Sequence, residues 1–450
     1  MGLAHNTVEI WSWQRQVRLR CVHCTERPVL FTMAMHGDDG DDLIVATGGF
    51  TREVLCWQVL GSKSGEPLQR LRGHTGVVHC VRWRADGRAL VSGSEDRSVR
   101  VWLAAEGSGG AGIGGCAMPA LVHADSLWGH AARIWDCQIS DDLIATVSED
   151  SSGRVYRYSQ QELRERLQGA ADASSSARHP SRDQASSVGQ CVSVLKGHQG
   201  KHVWKCVICP LATGGVVVST GGNDASTKIW STGAYSNGVG DSGATSVQGG
   251  SSARETSGGE VEMPVTMDSY EVPLYSDDDS ERVMSACDMV DTGTEGAGGR
   301  QEVGRAGGKK GPREEFVRCC ALLKQGCQVL CGTNQGRAVL LERATGAWSC
   351  LYKNSACQFT TVGVDEELAM AVLGDARGGL SVVSLASGAA FAAYTMAAHS
   401  GHVMDVFFRR DACTHAPLLY SGDNAETPSG SRPQIPRLAR CRRVQRLRLT

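Results

Sequence analysis

Three histidine–aspartate pairs are the first candidates for chemistry in this chain: His74 with Asp96, His130 with Asp150, and His198 with Asp224. A histidine oriented by a carboxylate and set beside a hydroxyl can work as a general base. Each aspartate follows a hydroxyl residue by four positions, at Ser92, Thr146 and Thr220, and precedes an aromatic by six, at Trp102, Tyr156 and Trp230. Recurrence at matching offsets argues against catalysis, because a catalytic site needs one constellation and not copies. The same four groups can instead form a buried hydrogen-bonded chain that leaves none of them unpaired. We therefore read them as scaffold, with Tyr156 able to donate through its hydroxyl where Trp is missing, and we predict no catalytic residue.

Two further patterns suggest chemistry and fail on context. The CxxC pairs Cys21/Cys24 and Cys206/Cys209 have zinc-like spacing, but both lie in alternating, strand-like stretches. Residues i and i+3 of a strand face opposite ways, so neither pair can chelate, and no metal site is predicted. The run from Gly107 to Gly112 matches a dinucleotide fingerprint, yet it opens no helix: Pro119 follows and the sequence then enters the next blade. We expect no cofactor in this chain.

The elements that must position these residues repeat. An apolar pair ending in an aromatic recurs at Trp11, Trp57, Trp102, Tyr156 and Trp230, at spacings of 46, 45, 54 and 74 residues. The first two spacings suit one four-stranded propeller blade, and the longer ones shrink to blade size once Gly/Ser-rich insertions are removed. Gly73-His74, Gly129-His130 and Gly197-His198 precede three of the aromatics. Between anchors, Val78–Trp83, Ala89–Ser92 and Val99–Trp102 read as strands, with Ala85-Asp86-Gly87-Arg88 as a turn. Weaker blades follow at Phe316 to Trp348 and Cys357 to Ser387, and another begins near His399 without reaching its closing strand. The predicted fold is all-β, a WD-type β-propeller of about seven blades over residues 1–423.

Both ends of the pattern look cut, and two readings stand open. The N-terminal closing strand can join the last partial blade, giving six internal blades and one shared blade. Alternatively the chain is a piece of a longer protein, shared between propellers, with a non-native Arg-rich tail at 424–450.

Composition fits many short strands: 41% apolar residues, 6% aromatic, and 55 Gly against 12 Pro. No run of 18 apolar residues and no basic, apolar leader is visible, so a soluble, cytoplasmic protein is expected, with its 18 cysteines reduced. Asn6 stands where a myristoylation signal needs Ser or Thr. Residues 104–120, 159–190 and 231–312 lack core-forming content and are predicted to be disordered insertions. Net charge is −2 overall, but −8 over Ser231 to Pro312 and +7 over Arg432 to Thr450. The body is near neutral, so any RNA contact must be a local patch.

In a four-stranded blade, loops after the first and third strands share one face, and loops after the second and fourth share the other. The insertions after Trp102, Tyr156 and Trp230 are thus expected on one face. The opposite face carries the Gly-His loops and Asp turns, and we expect it to be the binding surface, short-looped and free of disorder. Arg72, Arg133, Lys196, Lys201 and Lys205 are its candidate phosphate contacts, beside Glu95 and Glu149, which would suit a basic protein.

Four strings occur here in one order: Gly2-Leu3-Ala4-His5-Asn6-Thr7-Val8, Ser94 to Trp102, Gly129-His130-Ala131-Ala132-Arg133-Ile134-Trp135, and Lys196-Gly197-His198-Gln199-Gly200. That order resembles the large WD-repeat partner subunit of the tRNA wobble-nucleotide 2′-O-methyltransferase, from Met1 to about Trp230. Family members are roughly twice this length or more and carry several propellers. The resemblance implies a non-catalytic adaptor that binds a separate Rossmann-type methyltransferase and helps present the tRNA anticodon loop. It also implies that the partner enzyme holds S-adenosylmethionine, and that neither a membrane nor DNA is a partner. The alternative reading is a generic WD-repeat interaction scaffold or substrate receptor with no RNA role.

Overall fold

The computed structural model describes residues 6–26, 29–37, 43–61, 63–105, 118–159, 161–165, 189–210, 216–222, 224–232, 265–271, 315–386, 393–410 and 417–424. Within them, 28 strands form seven four-stranded antiparallel sheets. The chain opens with β1 (Thr7–Ser12) and β2 (Val17–His23). Blade 2 follows as β3 (Leu30–His36), β4 (Ile44–Gly49), β5 (Val54–Gln58) and β6 (Pro67–Leu71). Blade 3 is β7 (Val78–Trp83), β8 (Ala89–Ser94), β9 (Val99–Ala104) and β10 (Leu121–Leu127). Blade 4 is β11 (Ile134–Ile139), β12 (Leu143–Ser148), β13 (Gly153–Arg157) and β14 (Gln190–Leu195). Blade 5 is β15 (Val203–Pro210), β16 (Val216–Gly222), β17 (Ser226–Thr232) and β18 (Val265–Glu271). Blade 6 is β19 (Val317–Leu323), β20 (Gln328–Thr333), β21 (Arg337–Glu342) and β22 (Ala347–Lys353). Blade 7 is β23 (Phe359–Asp365), β24 (Met370–Asp375), β25 (Gly379–Ser384) and β26 (Ala393–Ala397).

The ring closes by sharing one blade between distant parts of the chain. β27 (Val403–Arg410) and β28 (Pro417–Asp423) supply its first two strands, and β1 and β2 supply the last two, with Val8 opposite Gly422 and Trp11 opposite Leu419. Around the ring, each blade's first strand packs against the next: β3, β7, β11, β15, β19, β23 and β27. The protein is thus a seven-bladed WD-type β-propeller.

Burial follows position within the blade. Second strands such as β8 and β12 are buried along their whole length, because neighbouring blades cover both faces. Fourth strands are less buried: β2 is almost wholly exposed and β22 has no buried residue, while β10 and β14 keep some buried positions. The core is a set of layers between blades; one joins Ile44, Val54 and Cys56 of blade 2 to Val78, Val81, Leu90 and Trp102 of blade 3. Close approach fixes some residues. A Cβ on Gly93 would lie 2.5 Å from Cys80 Sγ and 2.9 Å from a methyl of Ile134 in the next blade.

The expected insertions need correcting. Val265–Glu271, inside the 231–312 range, is β18, paired along its length with β17. An outermost strand needs little apolar content: Met267, Asp268 and Ser269 are exposed, and Tyr270 alone among 267–270 packs on the core beneath. Within 159–190, residues 161–165 form a helical turn whose Leu163 is buried against the core around Tyr156 and Tyr158, and Gln190 begins β14. At 104–120, Ala104 ends β9 and Met118 is buried. Residues 106–117, 160, 166–188, 233–264 and 272–312 of these insertions, residues 1–5 and the tail from 425 lie outside the described residues. No helix among the described residues is long and apolar enough to cross a membrane.

Topology also splits the long insertion. Residues 233–264 connect the third strand of blade 5 to its fourth, on the same side as the insertions after Trp102 and Tyr156. Residues 272–314 connect β18 to β19, so they depart from the Gly-His face. That face is therefore not short-looped throughout, contrary to expectation.

Candidate functional site

The Gly-His loops each bind back to an Asp turn. His74 meets Asp96 through Nδ1 at 2.9 Å and Ser92 Oγ through Nε2 at 2.8 Å, while Trp102 Nε1 donates to the same Ser92 oxygen at 2.9 Å. His130 repeats this with Asp150 at 2.9 Å and Thr146 at 2.8 Å. His198 meets Asp224 at 2.9 Å and packs on the Trp230 ring, with centroids 5.8 Å apart. The Thr220 side chain lies outside what the structure describes. Tyr156 departs from its expected role: its hydroxyl donates to the Trp128 carbonyl at 3.0 Å, so the middle network ends at Thr146.

Each aspartate also organises backbone. Asp96 accepts from the N–H groups of Thr75 and Ser98, Asp150 from Ala131 and Ser152, and Asp224 from Gln199 and Ser226. Burial opposes the charge of each carboxylate, but hydrogen bonding and the nearby histidine outweigh it and hold all three carboxyls well below the usual range. The loop glycines are required by shape. Gly73 has φ +147°, and a Cβ there would sit 2.4 Å from the Arg100 guanidinium. These constellations join a loop to a turn inside one blade, which is scaffold work.

Other blades use different pins that the repeat pattern does not reveal. In blade 6, buried Glu315, just before β19, takes a bidentate ion pair from buried Arg337 at the start of β21. In the shared blade, His399 Nε2 meets Ser421 Oγ at 2.7 Å, and its Nδ1 lies 3.7 Å from Glu9 and 3.6 Å from Asp423. Nearer the ring axis, side chains of first strands bind the backbone of the next blade. Thr32 accepts from Val81 N–H at 3.3 Å, Asp136 from Cys206 N–H at 3.2 Å, and Asp405 from Met33 N–H at 3.0 Å.

The candidate contact residues do not form one cluster. Lys205 is a correction: it lies in β15, only partly exposed, with its ammonium 3.8 Å from fully buried Asp136. Burial disfavours that ammonium, yet Asp136 raises its pKa, so the charge is internal to the ring. Arg82 joins the same group, 3.0 Å from Asp136 and 3.9 Å from Asp405. Arg133 pairs with Glu149 at 2.7 Å and lies 3.8 Å from Glu95, while Arg72 pairs with Glu53 at 2.9 Å. Lys196 and Lys201 are exposed. Of the CxxC residues, Cys206 is buried and Cys209 half-buried, while Cys21 is exposed and Cys24 buried.

Two stretches, 65–102 and 189–231, match the family described as WD domain, G-beta repeat. They take in the third strands that carry Trp102 and Trp230. A 238-residue segment is 24% identical to the tRNA (34-2′-O)-methyltransferase regulator WDR6 of Rattus norvegicus and to that of Homo sapiens, spanning 51% of this chain and 17% of each relative. Similarity also extends to Protein HIR1 of Mycosarcoma maydis, 29% identical over 45% of this chain and 18% of that protein. The serine-threonine kinase receptor-associated protein of Gallus gallus is 33% identical over 21% of this chain and 25% of its own length. The match to the methyltransferase regulators thus takes in about a sixth of their length.

Proposed function

For this WD-repeat β-propeller we propose the role of a non-catalytic adaptor that binds a tRNA 2′-O-ribose methyltransferase and helps present the tRNA anticodon loop for methylation at the wobble position. One observation carries the non-catalytic half: the histidine–aspartate constellations recur in three blades and are spent on holding loops to turns. The similarity to regulators of a tRNA (34-2′-O)-methyltransferase supports the partner half. In this reading S-adenosylmethionine belongs to the partner enzyme, and the complex works in the cytoplasm. The Gly-His face is the RNA-facing surface, with exposed Lys196 and Lys201 better placed for phosphates than ion-paired Arg133.

The test is reconstitution with the cognate methyltransferase. The protein alone should neither bind S-adenosylmethionine by titration calorimetry nor modify tRNA, and adding it to the enzyme should raise 2′-O-methylation at nucleotide 34. Reversing the charge of Lys196 and Lys201 together should weaken RNA binding and flatten its salt dependence. Deleting residues 233–264 should leave binding intact; a deletion of 231–312 would also remove β18. Stoichiometric cofactor binding, or no effect on the enzyme, would refute the reading. A second reading, a protein-only scaffold, draws on the similarity to HIR1 and to the kinase receptor-associated protein. Purification free of small RNA, with a stable protein partner, would favour it.

A further inference from the structure

All seven first strands carry an irregularity at the same place, where the second residue of the strand drops out of the ladder with its neighbour. Such bulges re-aim side chains at the rims of barrels. Five consecutive blades put a planar group at that position: Phe31, His79, Trp135, Trp204 and Arg318, with Thr360 and Met404 in the other two. Each follows directly on the loop that enters the first strand, so the five form an arc at the mouth of the ring on the Gly-His face.

The groups touch in series. Ring centroids are 5.6 Å apart for Phe31 and His79, and 4.9 Å for His79 and Trp135 and again for Trp135 and Trp204. His202 stacks on Trp204 at 4.9 Å and 13°, and the Arg318 guanidinium lies 4.4 Å from the centre of the Trp204 ring. Phe50, 57% exposed, extends the series beyond Phe31 at 5.0 Å. None of the five bulge residues is fully buried, so the arc keeps open surface.

Its polarity narrows what fits. Burial pushes His79 down to about 4, which leaves a neutral ring, and its Nε2 is buried with no hydrogen-bond partner among the described residues. Arg133, over the Trp135 ring, spends its charge on Glu149 and Glu95. Arg318 has no carboxylate partner among the described residues, and exposed Lys201 adjoins His202. Arg133, Arg318 and Lys201 stand against Glu95 and Glu149, three cations to two carboxylates, so the balance beside the arc is positive, which disfavours a basic peptide and favours a polyanion that carries flat groups.

We propose that this arc is a stacking platform for unpaired bases of a single-stranded RNA segment, with Arg318 and Lys201 facing its phosphates. Aromatic and guanidinium planes accept any base, and the flanking cations accept the backbone. The proposal rests on the RNA-binding reading above and names what that face would hold.

The test compares an unstructured RNA of about eight nucleotides with an abasic strand of the same length and charge, by fluorescence anisotropy on the full chain. The wild type should prefer the base-bearing strand by about tenfold or more, since stacking contributes per base. Trp204→Leu should erase the preference and Trp204→Phe should keep it, while the salt slope stays the same in all three. Phe31→Leu, at the other end of the arc, is the second variant should Trp204→Leu fail to melt like the wild type. Equal affinity for the two strands, an unchanged preference in both leucine variants, or tighter binding of a Lys/Arg-rich peptide would each overturn the platform. A base preference in a protein that leaves the methyltransferase unaffected would uphold the platform and remove the adaptor role. Enzyme stimulation without base preference would do the reverse.

Discussion

Glu315 and Arg337 meet as a buried bidentate ion pair where other blades of the same ring set a histidine against an aspartate. Both solutions start from the loop entering the first strand; the histidines reach the turn between the second and third strands, and Glu315 reaches Arg337, the first residue of β21. The ionic version should be the less forgiving. Arg337→Leu or Glu315→Leu alone strands a buried charge and should cost about 3–5 kcal/mol, whereas the double leucine variant should regain most of that loss. Chemical denaturation of the three variants checks it; equal losses in single and double variants would refute it.

The network of His74, Ser92, Asp96 and Trp102 predicts a stability phenotype and not a loss of activity. Asp96→Ala leaves buried His74 and the Ser98 amide without their acceptor, at about 1–3 kcal/mol each, while the exposed Thr75 amide turns to water. Trp102→Ala also opens the core between blades 2 and 3, at about 3–5 kcal/mol. Unchanged melting of either variant would contradict the assignment.

Acid should weaken the fold in two stages. His79 and His399 are both held neutral by burial, His79 down to about 4. Glu95 and Glu149 act against that shift at His79 while Arg133 assists it; at His399, Glu9 and Asp423 oppose and Arg18 assists. The unfolded chain takes up these protons first, from about pH 6.5. Stability carried by the neutral rings is therefore complete above about 6.5 and drains as pH falls toward the folded values. Asp96, Asp150 and Asp224 have lowered carboxyls, so their contribution is complete above about pH 4 and is lost below it. Melting temperature should be flat from pH 8 to 7, decline by pH 5 and fall more steeply below 4. His79→Gln should flatten the first decline, and a profile with no change between pH 7 and 5 would refute the histidine contribution.

Three Asp turns place a non-glycine residue in the left-handed region: Arg97 at φ 70°, Ser151 at 67° and Ala225 at 59°. Gly336 and Gly378 fill turns between second and third strands in blades 6 and 7 at φ 74° and 87°. Ala225→Gly should therefore stabilise the protein by about 0.5–1 kcal/mol, relief of the left-handed strain exceeding the added chain entropy. A lower melting temperature would show that the turn carries no such strain.

Thiol labelling should be selective. Burial raises the thiols of Cys56, Cys80 and Cys206, and it raises Cys24 to about 12. Cys21 is exposed, yet partial burial and Glu9 push it up to about 11. Among the cysteines within the described residues, exposed Cys327 should thus react first with N-ethylmaleimide near neutral pH, as read by peptide mass spectrometry. Early modification of Cys80 or Cys206 would mean that the blades part in solution.

Much of this architecture was written in periodic signals. The spaced aromatics at Trp57, Trp102 and Trp230 foretold the blades, and the Gly-His and Asp offsets foretold which side chains meet. Lys205 departs from the expected position because the bulge at Trp204 shifts the alternation and turns the lysine toward Asp136. β18 carries no apolar signal in the sequence, because a strand covered on one side need not be apolar. Glu315 and Arg337 share no offset with the histidine–aspartate pairs, so no repeat could announce them. The members of the aromatic arc lie 48 to 114 positions from one another in succession, and only the side-by-side packing of consecutive first strands makes them neighbours.

The shared blade sets an order of events for a nascent chain. β1 and β2 are made well before β28, so β1 finds its inner neighbour only some 400 residues later. Until then the edge of β1 is open, and blades 2 and 7 flank an incomplete shared blade. Contacts of such separation are slow to form. An unclosed ring presents a strand edge that another chain can fill, so a second copy, or a chaperone that covers that edge, competes with the protein's own C-terminal strands during synthesis.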